Sequence, residues 1–148
     1  MKTKKTPEER PAEAYILNAQ VGFLLRLAQQ RHAAIFASRM IDDLTPTQWA
    51  ALAKLKEIGP SSQNLLGRLT AMDAATIKGV IDRLNRRGFT KTKPDPADGR
   101  RVLVTLTPQG VALFDRVMPI AARITEDTLG PLSEGDRAQF LALLSKLT

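Results

Sequence analysis

The sequence predicts a mainly α chain with one small β-hairpin (an α+β fold), in the order helix, helix, helix, helix, strand, strand, helix, helix. Three observations predict it. Six segments carry apolar residues at helical spacing, and most open on a capping residue or close on glycine or proline. Two short alternating runs, residues 89–93 and Val102–Leu106, flank Pro94-Asp95-Pro96-Ala97-Asp98-Gly99, a turn that no helix or central strand would tolerate. The 148 residues, 43% hydrophobic and 25% charged, suit one domain with its own core. Aromatic residues are only 5%, so that core is built mostly from Leu, Ile, Val and Ala.

Residues 1–12, opening MKTKKTPEERP, read as a flexible basic tail with no apolar run, hence no signal peptide. Residues 13–40 form the first helix. Leu17, Val21, Leu24, Ala28 and Ile35 make one stripe, and Ile16, Ala19, Phe23 and Leu27 lie beside it. A stripe that broad buries more than one side. LTPTQW, residues 44–49, opens the second helix: Thr45 caps, Pro46 takes the first helical position, Gln48 completes a capping box, and Leu44 and Trp49 stand where a hydrophobic staple would. Gly59-Pro60 stops it. Ser61 caps a short helix with Leu65, Leu66 and Leu69, and Asp73 caps the next, whose buried stripe is Ile77, Val80, Ile81 and Leu84. Gly88 ends that helix and the hairpin follows. Thr107-Pro108 opens a long helix with Val111, Phe114, Val117, Ala121 and Ile124 inward and a kink expected at Pro119. Ser133 caps a last helix carrying Phe140, Leu141, Leu144 and Leu147.

The net charge of +7 is not spread evenly. Residues 1–10 carry four basic and two acidic side chains, residues 68–101 carry nine and four, and the rest of the chain balances at nine and nine. A concentrated positive field attracts a polyanion, and nucleic acid is the commonest one. The absence of cysteine removes disulfides and thiolate chemistry and mildly favours the cytoplasm. No apolar run approaches the roughly 18 residues of a membrane helix.

A helix, a tight turn and a second helix followed by a two-stranded hairpin is a winged helix-turn-helix. Its second helix enters the major groove of double-stranded DNA while the first crosses the backbone. Residues 61–69 are the first of the pair, Thr70-Ala71-Met72 the turn, and 74–87 the reading helix. The buried stripe leaves Ala75, Thr76, Lys78, Gly79, Asp82, Arg83 and Arg86 outward. Small Ala75 and Gly79 permit close approach; Thr76 can hydrogen-bond a base or touch a thymine methyl; Lys78 can reach guanine or phosphate. Arg83 and Arg86, further along, hold phosphates, as do Lys91, Lys93 and Arg101 on the wing and Ser61 and Ser62 at the start of the first helix. Arg101 could equally face solvent, and the whole hairpin taken alone could be no more than a soluble turn.

These residues resemble the MarR (multiple antibiotic resistance regulator) family of bacterial transcription factors over about residues 13–148. The tract D-x(8)-D-R-L-x-x-x-G is present as Asp73, Asp82-Arg83-Leu84 and Gly88. The wing DPADGRRVLVTLTPQG carries its D-x-R at Asp98 and Arg100 and its closing LTPxG at residues 106–110. The resemblance implies a homodimer, with a DNA-binding lobe at about 45–106 and dimerisation helices at about 13–40 and 108–147. It also implies that Arg100 enters the minor groove with Asp98 helping to hold it, and that an effector pocket lies between the lobes. One departure stands out. Where many members carry Ser or Thr followed by Arg, this chain has Lys78 and Gly79, so no operator sequence transfers with the resemblance.

The same resemblance puts His32, the only histidine, near the pocket roof, with Tyr15, Arg31 and Arg39 on its helix and Trp49 on the next. A His or Arg with aromatic walls suits a small aromatic or heteroaromatic carboxylate, or a phenol. His32 could also be a satisfied interface histidine, Trp49 a core residue, and Arg31 and Arg39 solvated. The expected function is therefore a transcription regulator, a repressor released from a pseudo-palindromic operator by such an acid. The alternative is an effector-independent or architectural DNA binder. An enzyme is not expected: one histidine and no cysteine exclude histidine-metal clusters and cysteine nucleophiles. Asp42-Asp43 and Glu126-Asp127 are sequence neighbours that do not face one another, and no glycine-rich phosphate loop is present. No metal and no cofactor are expected.

Overall fold

The computed structural model describes residues 14–148. The expected basic tail, residues 1–12, lies outside them. The chain runs through a short 3-10 turn (Leu17–Ala19), α1 (Val21–Arg39), α2 (Pro46–Ile58), β1 (Ser61–Ser62), α3 (Gln63–Leu69), α4 (Ala74–Arg86), β2 (Thr90–Pro94), β3 (Val102–Leu106), α5 (Pro108–Thr128) and α6 (Glu134–Ser145).

Local chemistry explains most boundaries. Thr45 and Gln48 form the capping box in both directions, Thr45 Oγ1 accepting from Gln48 N at 3.2 Å and Gln48 Oε1 from Thr45 N at 3.4 Å. Thr107 caps α5 through Gly110 N and Ser133 caps α6 through Asp136 N, at 3.1 and 3.3 Å. Gly88 takes φ +79, the left-handed turn that releases the chain from α4 into the wing.

Asp73 caps α4, its Oδ1 accepting from Thr76 N at 2.7 Å. That backbone bond, then the Thr76 hydroxyl, holds the carboxylate below its ordinary pKa of 3.8. A depressed carboxylate contributes stability above its unfolded value that is lost as pH falls through the folded one. Acid should therefore loosen α4 below pH 3.8. Asp73→Asn keeps the cap without titrating, and should flatten that part of a urea-midpoint profile against pH; an unaltered profile counts against the cap as the source.

Four expectations change. The first helix starts at Val21, not at residue 13, because Gln20 is extended (φ −87, ψ 133) and its amide turns back to Ile16 O. A third strand is present: Ser61 and Ser62 pair with Val104 and Leu103, giving the sheet order β1-β3-β2. Two residues carry too little periodicity to read as a strand. The cap of α3 is accordingly Ser62, through Leu65 N, since Ser61 is consumed by the sheet. In α5 the buried stripe is Gly110, Leu113, Val117 and Ile124, with Val111, Phe114 and Ala121 only half-buried.

The core sits in one lobe. Leu52 and Leu55 of α2, Leu66 of α3, Ile81 and Leu84 of α4, and Val104 of β3 meet Leu113 and Val117 of α5. Helix α1 contributes only Phe36 to the buried apolar set, and α6 contributes nothing. Their apolar residues face outward: Val21 is 64% exposed and Leu143 52%.

Candidate nucleic-acid interface and effector cleft

Helices α3 and α4 are joined by Thr70-Ala71-Met72, with Ala71 in the left-handed region at φ +54 and Thr70 Oγ1 donating to Leu66 O at 2.6 Å. The buried stripe of α4 orients the opposite face. Ala75, Thr76, Lys78, Arg83 and Arg86 are exposed, and Gly79 and Asp82 are half-buried. Lys78 Nζ lies 2.8 Å from the Asp82 carboxylate one turn on, and Arg86 Nε donates to Asp82 O at 3.3 Å. A Cβ built on Gly79 would meet only Arg83 Nη1, at 3.9 Å. Nothing in the protein's own packing requires glycine there, although glycine costs a helix about 1 kcal/mol relative to alanine.

The wing is an antiparallel pair, Thr90↔Leu106 through Pro94↔Val102. Pro94 is tolerated because β2 is an edge strand. The tip ties itself together: Asp95 N donates to Arg101 O and Arg101 N to Asp98 O, both at 2.9 Å, while Asp95 Oδ1 accepts from Ala97 N. Asp98 Oδ1 accepts from Arg100 N at 3.0 Å and Nε at 3.3 Å. The Arg100 side chain is nonetheless 94% exposed, so Asp98 holds the guanidinium by its Nε edge and leaves Nη1 and Nη2 projecting. Lys91 and Lys93 are exposed on one side of β2.

Pairing of β1 with β3 brings the first turn of α3 against the wing root. Between them opens a polar cleft of about 320 Å³, lined by Ser62, Gln63, Asn64, Arg68, Arg100 and Arg101. Gln63, Asn64 and Arg68 are absent from the sequence-based expectation. Arg68 lies in the basic block, but only the missed strand puts it opposite the wing. Ser61 must be withdrawn from the expected contacts: it is buried at 4% exposure, with Oγ donating to the adjacent Ser62 O. Arg87, at the end of α4, also turns inward, donating to Asp42 O and to Gln48 Oε1.

A second region lies where α1, α2 and α5 meet. His32, Phe36, Trp49, Ala121, Ile124 and Thr125 line a cleft of about 190 Å³. His32 also borders an apolar opening of about 330 Å³ toward α6, formed with Leu25, Leu129, Phe140 and Leu144. His32 Nδ1 is 2.9 Å from Thr128 Oγ1, whose proton is given to Ile124 O at 2.8 Å. With that proton on Ile124 O, Oγ1 accepts from Nδ1–H, and in that tautomer Nε2 is an acceptor with no partner among the described residues. Trp49 is half-buried: one surface stacks on Phe114 (centroids 5.3 Å, interplanar angle 14°) and it also walls the cleft. Core and cleft roles, separate in the sequence reading, coincide.

Two of the expected ligand residues are not brought there. Tyr15 precedes α1, is 79% exposed and lines neither space, because the extended Gln20 separates it from the helix. Arg39 pairs with the Asp127 carboxylate, and Arg31 donates to the carbonyls of Asp127 and Thr128, so both bind the end of α5 to α1. Among the described residues no cluster of His, Asp or Glu could hold a metal ion, and no helix is long and apolar enough to cross a membrane.

The MarR family model matches residues 44–102, the span from the α2 cap to the start of β3. Over 150 aligned positions the chain is 44% identical to the HTH-type transcriptional repressor NicR of Pseudomonas putida, covering 99% of this chain and 95% of that one. The chain belongs to the MarR family. It is a transcription regulator, not an enzyme, and its fold is that of solved relatives. A probable transcriptional regulator from Pseudomonas aeruginosa superimposes with a TM-score of 0.88 at 51% identity, covering 90% of this chain and all of that one. BpsR of Bordetella bronchiseptica, whose DNA binding is regulated by 6-hydroxynicotinic acid, superimposes at 0.87 with 43% identity over 90% and 96%.

Proposed function

We propose that this MarR-family chain is a repressor whose two-fold dimer occupies a pseudo-palindromic operator and leaves it when a small aromatic or heteroaromatic acid, or phenol, enters the His32 cleft. One observation carries the DNA half. Arg83 and Arg86 of α4 and Lys91 and Lys93 of β2 are all exposed, Arg68 joins Arg100 and Arg101 in one cleft beside the wing, and the small residues Ala75 and Gly79 open the start of α4. On this reading Ala75, Thr76, Lys78 and Gly79 meet base edges. Arg83, Arg86, Lys91 and Lys93 meet phosphates, and Arg100, steadied by Asp98, reaches the minor groove. Ser62, Gln63, Asn64, Arg68 and Arg101 close around one phosphate in the cleft beside the wing, which gives Arg101 a partner in place of solvent.

The division of labour follows: residues 45–106 read DNA, while 13–40 and 108–147 dimerise. The outward apolar faces of α1 and α6 support the second part, since a second copy would cover them. A two-fold dimer puts its reading helices about 34 Å apart, one duplex turn. Footprinting on the chain's own upstream region should protect two half-sites at that spacing; protection of a single unrepeated site would count against the dimer reading. Arg68→Ala should reduce the salt slope of binding by about one without altering which sequences are preferred.

The effector half is supported by the open Nε2 of His32 beside Trp49, and by NicR being a repressor and 6-hydroxynicotinic acid regulating BpsR. Nε2 of His32 accepts from a ring hydroxyl or N–H, and the apolar walls cover the ring. Such a regulator would control the breakdown of aromatic compounds, acting in the cytoplasm where the operator lies. His32→Ala should leave DNA affinity intact and abolish release by 6-hydroxynicotinic acid in an anisotropy titration; an unchanged release curve removes His32 from the site. A thermal-shift screen of aromatic acids with no stabilising compound would favour the effector-independent DNA binder.

A further inference from the structure

We infer that the link between α1 and α2, residues 40–45, carries a change in the effector cleft to the reading helix, with Asp42, Arg87 and Arg116 as its positioning residues. The inference rests on the DNA- and effector-binding reading above and adds how the two sites communicate.

The link contains two consecutive non-glycine residues in the left-handed region, Asp42 at φ +55 and Asp43 at φ +51. Such backbone persists only where its surroundings over-determine it, and it gathers at switch regions. The surroundings here are two arginines from different lobes. Arg87, the C-cap of α4, donates through Nη2 to the Asp42 carbonyl and through Nη1 to Gln48 Oε1 at 3.5 Å. Arg116, from α5, donates through Nη2 to Asp42 Oδ2 at 2.8 Å. One aspartate thus holds the end of the reading helix by its main chain and the dimerisation helix by its side chain.

The cleft around His32 and Trp49 is walled by α1, α2 and α5, the same three helices that Asp42 joins. Helix α1 ends at Arg39, three residues before Asp42, and Trp49 lies in the first turn of α2 after it. A guest that spreads these helices must move the link, and the link cannot move without carrying Arg87 or losing it. The Arg116–Asp42 pair is exposed, with side-chain exposures of 57% and 39%, so it is weak enough to exchange. The amides just past the reading helix sit at the receiving end: Arg87 N donates to Arg83 O, Gly88 N to Asn85 O and Phe89 N to Leu84 O.

The test is hydrogen–deuterium exchange on the free protein with Arg116→Gln. Among the described residues Arg116 makes no hydrogen bond or ion pair with α4, so a merely local role would alter exchange only at the link and on α5. The expected result is exchange roughly threefold faster at Arg87, Gly88 and Phe89, the order that loss of an exposed ion pair allows. Asp42→Asn should repeat the pattern from the other side, and Arg116→Lys should restore wild-type exchange. A change confined to the link and α5, no change at all, or disagreement between Arg116→Gln and Asp42→Asn overturns the inference. In a second arm, Arg116→Gln should bind operator DNA as the wild type does and need several-fold more 6-hydroxynicotinic acid for release; release at the wild-type concentration overturns it. A wild-type protein that ignores the compound would sink the effector reading instead, while the exchange arm still decides the link.

Discussion

Replacing Arg100 with alanine should lower affinity for operator DNA by about 1–3 kcal/mol, roughly five- to 150-fold, and shallow the salt dependence. The size of the effect follows from the wing's construction. Three local elements, the tip hydrogen bonds, the two prolines and Asp98, all hold a side chain that is itself 94% exposed. A guanidinium so presented gains little inside the free protein, since an exposed pair with Asp98 is worth under about 1 kcal/mol. The tip backbone and the Asp98 contact order its stem in part before DNA arrives, so the entropy that docking would otherwise take is reduced. The companion variant separates charge from orientation. Asp98→Ala keeps the cation and frees its stem, so the salt slope should hold while affinity falls by a smaller factor. Anisotropy titrations at several salt concentrations measure both. Undiminished binding by Arg100→Ala would sink the wing assignment, and equal losses of slope in the two variants would remove Asp98 as a positioning residue.

Gly110→Ala should have the largest effect on stability, about 3 kcal/mol or more, because the added methyl has nowhere to go. An ideal Cβ at that position lies 2.0 Å from Phe89 O and 3.0 Å from its carbonyl carbon. The obstacle is main chain, not the end of a flexible side chain, and the same carbonyl accepts from Thr107 N at 3.1 Å. Relief therefore requires α5 to move off the wing root, with loss of the Thr107 cap and of the contacts of fully buried Leu113. Urea denaturation followed by circular dichroism gives the stability change, and the wing predicts a second symptom: DNA binding should weaken at temperatures where the helices remain folded. A midpoint within 0.5 kcal/mol of wild type would mean that the close approach of α5 to Phe89 is not maintained in solution.

Both predictions concern a region that could be read closely before any coordinates. The wing was legible because its instructions are local: proline sets φ, Asp98 bonds a backbone N–H two residues on, and alternation defines the strands. The reading helix was legible because Ile77, Val80, Ile81 and Leu84 leave only one face for anything else. The effector region was not. Tyr15 looked continuous with the first helix by apolar spacing, but spacing does not register the extended Gln20. Arg39 and Arg31 looked available, yet their partners lie about ninety residues away on α5. Ser61 looked like a cap, and Arg68 like one more surface charge, because two serines do not announce a strand.

The sequence by itself determined the order of the six helices and the two wing strands, the caps of α2, α4, α5 and α6, the outward face of α4 and the family, since each depends on residues within a turn or two of one another. Only the tertiary structure decided which charges are free. It tied Arg87, one more cation of the basic block, to Asp42, and brought Arg68 opposite Arg101. It left His32 with its Nδ1 satisfied and its Nε2 open. Those outcomes depend on which distant carbonyl or carboxylate comes within 3 Å, and chain topology sets that distance where local preference does not.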